Sequence, residues 1–322
     1  MQHFMKRIGL SGLLAAAIAF APAIGATAAK ADQFINILTG GTSGVYYPLG
    51  VGLAKIYSDN MTGTKVQVQS TKASVENLNL LQQGKGELAF ALGDSVKMAW
   101  EGDAEAGFKE KLDKLRGIAA IYPNYIQIVA SKDSGIHTLA DLKGKRVSVG
   151  APKSGTELNA RAILAAAGMT YKDLGQVQYL PFGESVELIK NRQLDATLQS
   201  AGLGVASIKD LASSVAITVV SVPSSVADKL GAPYVAATIP ANTYDGQTEP
   251  VQTVAVVNFL VTRAGVSDQT AYEMTKLLFD NLTTLEASHK AAAQIKLENA
   301  LKGMPIPLHP GAIKFYKEKG LM

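Results

Sequence analysis

Apolar residues recur along the chain in short runs that alternate with longer amphipathic stretches. The short apolar or alternating runs predict β-strands at residues 34–38, 65–69, 88–92, 118–121, 126–130, 147–149, 176–179, 196–198 and 253–262. Helical periodicity predicts helices at residues 45–60, 74–83, 156–167, 185–191, 268–285 and 287–301. Strands that alternate with helices in this way are typical of mainly parallel sheets with helices on both faces.

Two of the predicted strands divide the chain into blocks. Segments 126–130 and 253–262 are apolar and far apart in sequence, and each joins groups of elements that look complete by themselves. We therefore predict an α/β fold with two lobes, each a mainly parallel sheet flanked by helices, joined by two crossover strands. Residues 32–127 and 255–322 would form lobe one, and residues 128–254 would form lobe two.

The first residues have the pattern of a secretory signal peptide. Lys6 and Arg7 precede an apolar run at 8–24, and small residues follow as far as Ala31. An uncleaved membrane anchor is the alternative, but a span needs about 20 strongly apolar residues, and this run is mostly Ala and Gly. We expect residues 1–31 to be removed near Ala31 on export to the periplasm, although cleavage after residue 28 fits nearly as well.

Composition narrows the classes of function. Removing the signal lowers the basic residues from 31 to 28 against 27 acidic ones, so the net charge falls from +4 to +1. A balanced, mixed charge pattern argues against nucleic acid as a partner. The chain has no cysteine and only four histidines, none with a second histidine nearby at ligand spacing. We therefore expect no thiol catalysis, no metal site and no cofactor.

Three predicted strand–loop–helix turns carry small polar residues. Ligands in such sheets bind beyond the carboxyl ends of the strands, where helix N-termini offer unpaired N–H groups. Helix capping by Ser and Thr is the structural alternative for each turn taken singly. Three turns divided between two lobes favour a ligand cleft. The candidates are Gly41, Thr42 and Ser43 in the first turn, Thr71 and Ser74 in the second, and Ser154, Gly155 and Thr156 in the third.

Aromatic residues lie next to these turns. Tyr46 and Tyr47 follow the first glycine loop, Tyr122 lies beside a crossover strand, and Phe182 precedes a helix. Two adjacent tyrosines on a helix cannot both face the core, so we expect Tyr46 and Tyr47 at the cleft. Core packing is an equally good explanation for Phe182.

Enzyme signatures are weak. The glycine loop lacks the spacing of a dinucleotide fingerprint, and Gly84-Lys85 is followed by Gly86 rather than by the Ser or Thr of a phosphate-binding loop. Gly41-Thr42-Ser43-Gly44 lacks the spacing of a nucleophile elbow. We therefore predict a binding protein and not an enzyme.

Several motifs resemble those of the TAXI solute receptors of TRAP transporters. Residues 39–50, TGGTSGVYYPLG, resemble the opening motif of that family, and Ser74-x-Glu76-Asn77-Leu78 is similar to its second motif. Further similar segments are residues 121–123, 141–147, 154–161, 195–196, 201–202 and 237–244. The chain departs from the family at three positions: Gly93-Asp94-Ser95 replaces Gln-Ser-Asp, and Asn124 and Gly204 replace a common acid and a common proline.

The resemblance implies a class II periplasmic binding protein-like fold and a receptor function. Such a receptor closes on glutamate or a related amino acid, or on a dicarboxylate such as 2-oxoglutarate, and delivers it to TRAP membrane subunits. We expect a monomer. We also expect Asn77, Asn159, Gln199 and Gly202, which lie in or next to the similar segments, to contribute to the ligand site. The alternatives are a periplasmic sensor input protein that is not coupled to transport and a secreted hydrolase.

Overall fold

A computed structural model describes residues 33–322 of the chain. The predicted signal peptide, residues 1–31, lies outside these residues. The strands are β1 (Gln33–Leu38), β2 (Thr64–Gln69), β3 (Leu88–Leu92), β4 (Leu115–Ser131), β5 (Arg146–Ser148), β6 (Gln176–Gln178), β7 (Ala196–Ala201), β8 (Ile217–Val220), β9 (Tyr234–Ile239) and β10 (Val251–Arg263). The helices are α1 (Tyr46–Asn60), α2 (Ser74–Gln82), α3 (Gly93–Glu101), α4 (Gly155–Ala166), α5 (Phe182–Lys190), α6 (Ala206–Ser214), α7 (Ser224–Leu230), α8 (Asp268–Asp280), α9 (Leu282–Ser288) and α10 (Pro310–Glu318).

The strands form one mixed sheet with the order β2-β1-β3-β10-β4-β7-β5-β6, while β8 pairs with β4 and β9 with β10. β1 pairs in parallel with β2 and β3, and β5 pairs in parallel with β6 and β7. The long strands β4 and β10 lie antiparallel to each other and connect these two parallel groups. We call residues 33–114 the first half and residues 132–250 the second half. The predicted α/β class is confirmed, and the division into two lobes stays a prediction.

β4 corrects one sequence expectation. Two separate strands were expected at 118–121 and 126–130, but the backbone is extended without a break from Leu115 to Ser131. Pro123 lies in the middle and pairs with Val257 of β10, next to an irregularity in the register. A proline cannot donate to the ladder, so the irregular pairing accommodates it and the strand continues.

The C-terminal helices also differ from expectation. The predicted helix 268–285 is interrupted at Asn281, whose side-chain Nδ2 donates to the carbonyl of Leu277 at 2.9 Å, a bond that competes with helical backbone pairing. The predicted helix 287–301 is wrong. Two 3₁₀ turns, Lys290–Gln294 and Leu297–Asn299, occupy that region, and Nδ1 of His289 accepts from the N–H of Ala291 at 3.1 Å to cap the first of them.

Apolar packing continues across the two halves. One buried cluster joins residues of α1, such as Leu49 and Leu53, to Ile189 of α5 and Ile208 of α6. Other buried clusters fill the rest of each half. Within residues 33–322, no helix is long and apolar enough to cross a membrane.

Candidate functional site

A cavity of about 360 Å³ lies where the first and second halves meet. We call it the main cavity. Four strand-to-helix turns reach it, after β1, β2, β5 and β6. The two parallel groups run in opposite directions and lie at opposite ends of the long strands β4 and β10, so the carboxyl ends of their strands point toward each other. Its lining residues are Gly41, Thr42, Ser43, Ser70, Thr71, Lys72, Ala151, Ser154, Thr156, Pro181, Phe182, Gly183 and Glu184. The structure therefore brings the three predicted turns together and adds a fourth, at the start of α5.

The first turn does not use its hydroxyls to cap a helix. Val45 is the N-cap residue of α1, and no side chain accepts a capping bond there. Within residues 33–322, the N–H groups of Gly41, Thr42 and Ser43 have no hydrogen-bond partner. The hydroxyls of Thr42 and Ser43 line the main cavity without being needed for the fold of the loop.

The second turn is tied to the first. The Ser70 hydroxyl donates to the carbonyl of Gly40 at 2.9 Å, and the Thr71 hydroxyl donates to Oδ1 of Asn77 at 2.6 Å. Ala73, which precedes α2, has a φ of 72°, a conformation that costs free energy for a residue with a side chain. The hydroxyls of Ser70 and Thr71 therefore hold the shape of the second turn, and both donate their hydrogens to acceptors within the protein.

The third turn is a capped helix N-terminus. Oγ of Ser154 accepts from the N–H of Glu157 at 3.1 Å. Ser154 therefore caps α4, which is the structural alternative to a ligand role. The N–H groups of Gly155 and Thr156 lie in the first turn of α4 and have no intrahelical partner. The Thr156 hydroxyl lines the main cavity and has no protein partner among the described residues.

The fourth turn adds an aromatic wall and an acid. Phe182 is half-buried, and its ring would lie 3.8 Å from a Cβ placed at Gly44. Glu184, in the first turn of α5, is the one acidic residue among those that line the main cavity, and Lys72 is the one basic residue. The helix dipoles of α4 and α5 add positive potential at their N-terminal ends, so the main cavity suits a small anion.

A smaller cavity of about 40 Å³ borders the main cavity at Gly41. We call it the small pocket. It is lined by Gly40, Gly41, Gly44, Val45, Tyr46, Tyr122, Asn124, Ser200 and Ala201. Tyr46 is held in place by stacking on Phe90, with ring centroids 5.1 Å apart. The predicted residues Tyr46 and Tyr122 lie here.

Two predicted residues have structural bonds instead of cavity contacts. Nδ2 of Asn77 donates to the carbonyl of Thr39, directly after β1, at 2.6 Å and to the carbonyl of Phe90, in the middle of β3, at 2.9 Å. Oγ of Ser74 accepts from the N–H of Leu92 at 3.1 Å. Both residues are buried, and neither lines either cavity.

The remaining predicted residues also lie outside the linings of both cavities. Gly155 packs against Ser74, because a Cβ at 155 would come 2.7 Å from Oγ of Ser74. Gln199 is buried and accepts from the Ser207 hydroxyl at 2.7 Å. A Cβ at Gly202 would meet the Tyr122 ring at 3.1 Å. Tyr47 is half-buried at the start of α1.

Asn159 belongs to a polar cluster that sequence reasoning missed. Asp94 of α3 accepts from Nδ2 of Asn159 at 2.6 Å and from the Tyr234 hydroxyl at 2.6 Å. Asp94 is 2% exposed, and burial raises the pKa of its carboxyl above the ordinary value, against the lowering effect of these hydrogen bonds. The cluster connects the first half to the second. Asp94 stands at one of the three departures from the TAXI pattern, and that departure was the available signal.

Direct contacts close the edge of the main cavity. The N–H of Glu76 donates to the carbonyl of Lys153 at 3.1 Å, and the N–H of Ser207 donates to the carbonyl of Ser43 at 3.4 Å. Lys153 has a φ of 62° and is not among the residues that line the cavity. The walls from the two halves therefore touch each other in this structure. Among residues 33–322, no group of three His, Asp or Glu side chains could hold a metal ion.

Comparison with known families identifies the chain. Residues 37–320 match the NMT1-like family. This chain belongs to the NMT1-like family.

Two solved structures share the fold of this NMT1-like protein. The alkanesulfonate-binding protein SsuA from Xanthomonas axonopodis pv. citri, bound to MOPS, matches with a TM-score of 0.51 and 17% identity, over 91% of this chain and 95% of that chain. A binding protein component of an ABC phosphonate transporter from Pseudomonas aeruginosa matches with a TM-score of 0.52 and 13% identity, over 82% of this chain and 80% of that chain. At such identities the likeness establishes the fold, which is that of periplasmic binding proteins.

Proposed function

We propose that this NMT1-like protein is a periplasmic solute-binding receptor that captures a small carboxylate in the main cavity and delivers it to a membrane transporter. One observation carries the proposal: four strand-to-helix turns converge on a single cavity of about 360 Å³. This volume is in the range of small-molecule sites. The turns offer unpaired backbone N–H groups and hydroxyls, which are donors suited to a carboxylate.

Hydrogen bonds to a bound carboxylate can supply enough free energy for micromolar affinity. A hydrogen bond to a charged group contributes about 1.5–3 kcal/mol. Four or five such bonds, less an association cost of about 4 kcal/mol or more, can reach the roughly −8 kcal/mol of micromolar binding. The N–H groups of Gly41, Thr42 and Ser43 and the Thr156 hydroxyl are the candidate donors, since these residues line the main cavity.

The ligand and the transporter class follow from the motif resemblance. The resemblance to TAXI receptors favours glutamate or a related amino acid, or a dicarboxylate such as 2-oxoglutarate, and TRAP membrane subunits as partners. The two solved structures are named as an alkanesulfonate-binding protein and as a component of an ABC phosphonate transporter. Those names describe those two proteins only. Export through the predicted signal peptide would place the receptor, as a monomer, in the periplasm. We assign no reaction and no cofactor to the chain.

A thermal-shift screen of residues 32–322 tests the proposal. The library should pair each carboxylate with its uncharged amide, so that size and shape are kept while the charge is removed. We expect at least one carboxylate to raise the melting temperature by several degrees, because a ligand that binds only the folded state stabilises it, and we expect its amide to have no effect. If sulfonates or phosphonates raise the melting temperature and carboxylates do not, the carboxylate assignment is wrong. If no anion does, the receptor assignment is wrong.

A further inference from the structure

The carboxyl group of Asp94 is buried at a contact between the two halves. Asp94 lies in the first turn of α3, in the first half, and is 2% exposed. Its Oδ2 accepts from Nδ2 of Asn159 and from the Tyr234 hydroxyl, each at 2.6 Å, and both donors belong to the second half. If the halves separate, the carboxyl therefore loses these two partners and meets water instead.

No positive charge balances that of Asp94. Among the described residues, Asp94 makes no ion pair with a Lys, Arg or His. Lys97, on the same helix, is exposed. On α4, Nη2 of Arg161 donates to both carboxylate oxygens of Glu157, at 2.9 and 2.8 Å, so the charge of Arg161 is already balanced. A buried carboxylate without a cation is costly to keep ionised.

The other titratable groups that face Asp94 are the hydroxyls of Tyr234 on β9 and Tyr46 on α1. Burial raises the pKa of both hydroxyls, so both stay neutral. Burial also raises the pKa of the Asp94 carboxyl, against the lowering effect of the hydrogen bonds from Tyr234, Ser95 and Asn159. Asp94 is therefore the group at this contact whose protonation depends on whether the halves touch.

Asn159 offers an acceptor for a proton on Asp94. Oδ1 of Asn159 is buried and has no partner within residues 33–322. Rotation of the amide by half a turn would bring Oδ1 to the position of Nδ2, where it could accept the carboxyl hydrogen. The distance of 2.6 Å from Oδ2 of Asp94 is short for an N–H donor and typical of an O–H donor. Either orientation leaves one polar atom of the amide without a partner.

We propose that closing of the two halves over a bound ligand is coupled to the uptake of one proton by Asp94. The inference rests on the proposed receptor function, because it needs an open state in which Asp94 meets water. One proton moves from solvent to a carboxylate oxygen of Asp94, and no other bond forms or breaks. The advantage of the closed, protonated form is fully present below the ordinary carboxyl pKa and is lost as the pH rises through the closed-state value. The receptor would therefore bind its ligand more tightly in an acidic periplasm.

Titration calorimetry on residues 32–322, in buffers of different ionisation enthalpy, counts the protons taken up on binding. The probes are glutamate and 2-oxoglutarate, and Asp94→Asn keeps the shape of the side chain but cannot take up a proton. Between about pH 8 and about pH 5, we expect the parent to take up a larger fraction of a proton per bound probe than Asp94→Asn does, and to gain at least about threefold more affinity. A proton taken up by the probe itself is common to both proteins and cancels in the comparison.

Two further variants make the result specific. Asp173→Asn removes a surface carboxyl that lines neither cavity, and it should keep the proton uptake of the parent. Tyr234→Phe removes a donor to the ionised form of Asp94, so the uptake should persist and move to higher pH. A purely structural role of Tyr234 would weaken binding equally at every pH. If Asp94→Asn does not fold, the shift in Tyr234→Phe decides alone.

The inference is overturned if a probe binds and Asp94→Asn takes up as much of a proton as the parent. It is also overturned if the uptake disappears in Glu184→Gln instead, since Glu184 is the acid that lines the main cavity. If neither probe binds to the parent, the proposed function fails for these carboxylates, and the inference fails with it.

Discussion

At the scale of single residues, the main cavity relies on backbone N–H groups and hydroxyls more than on fixed charges. Lys72 lines it, but Lys153, the other lysine of the candidate turns, does not. Thr156 is 6% exposed and lines the cavity at the N-terminus of α4. The donors that would meet a carboxylate therefore belong mainly to helix ends, where the dipole adds to their effect.

Single substitutions of Thr156 and of the two lysines test whether helix-end donors or fixed charges hold the carboxylate. Thr156→Val keeps the shape and removes a donor, so we expect carboxylate binding to weaken by about 1–3 kcal/mol. Lys72→Met and Lys153→Met should each cost less than about threefold, and binding should vary only modestly with salt because charges in a closed cleft are poorly screened. Calorimetry gives each affinity.

Thr197→Val is the matched control for this experiment, since Thr197 has a buried, unpartnered hydroxyl but lines neither cavity. A hundredfold loss on removing either lysine would show that a fixed cation holds the carboxylate. Unchanged affinity in Thr156→Val would show that the third turn is only a helix cap.

The sequence reveals which turns carry small polar residues but not how tightly neighbouring turns bond to one another. Thr42 and Ser43 were expected at a cleft, and they line the main cavity. Asn77 occupies a similar position in the motif, yet it bonds backbone carbonyls in and next to two strands. Ser200, which lines the small pocket, was missed as a site residue. Its place depends on how β7 packs against residues far away in the chain, which local patterns do not encode.

At the scale of elements, α3, α4 and β9 meet through Asp94, Asn159 and Tyr234. The Asp94 carboxyl is buried, and its raised pKa means that the folded protein binds a proton more tightly than the unfolded chain does. The stabilisation from that proton is fully present below the ordinary carboxyl pKa. It is lost as the pH rises through the folded value.

Asp94→Asn should therefore change the pH dependence of stability. In the ligand-free protein, the melting temperature of the variant relative to that of the parent should increase as the pH rises from about 4 to about 8. Asparagine keeps the Oδ1 that accepts from the N–H of Ser95, but its Nδ2 replaces the Oδ2 that accepts from Asn159 and Tyr234. This loss lowers the stability of the variant by a similar amount at all pH values. Asp173 accepts from the N–H of Thr170 on the surface, and its pKa is lowered. Its contribution to stability therefore changes only below the ordinary carboxyl pKa. Asp173→Asn serves as the control, and its melting-temperature difference from the parent should stay nearly constant from about pH 4 to about pH 8.

A melting-temperature difference between Asp94→Asn and the parent that stays constant over this pH range would contradict the buried, protonatable carboxyl. Circular dichroism at a series of pH values is sufficient for the comparison.

The secondary-structure elements were predicted well where the hydrophobic periodicity is strong, as in α1 and β3. They were predicted poorly where a side chain interrupts the pattern, as at Asn281, or where an extended strand tolerates a proline, as at Pro123.

At the scale of the whole molecule, two groups of parallel strands are joined by the long strands β4 and β10. Contacts such as Glu76 to Lys153 and Asp94 to Asn159 bring the walls of the main cavity together. A receptor would open by breaking these few polar contacts while β4 and β10 remain paired, which is a hinge motion of the kind that ligand-binding proteins use. The apolar cluster that includes residues of α1, α5 and α6 would have to rearrange in that motion.

A crystal structure of residues 32–322 with the carboxylate that gives the largest thermal shift would show directly whether the main cavity is the ligand site. We expect density for the ligand in the main cavity, with carboxylate oxygens within hydrogen-bond distance of the N–H groups of Gly41–Ser43 or of the Thr156 hydroxyl. The result that would contradict it is a ligand bound elsewhere, for example in the groove near His137 and Lys229 on the second half, or a carboxylate held only by the ammonium group of Lys72.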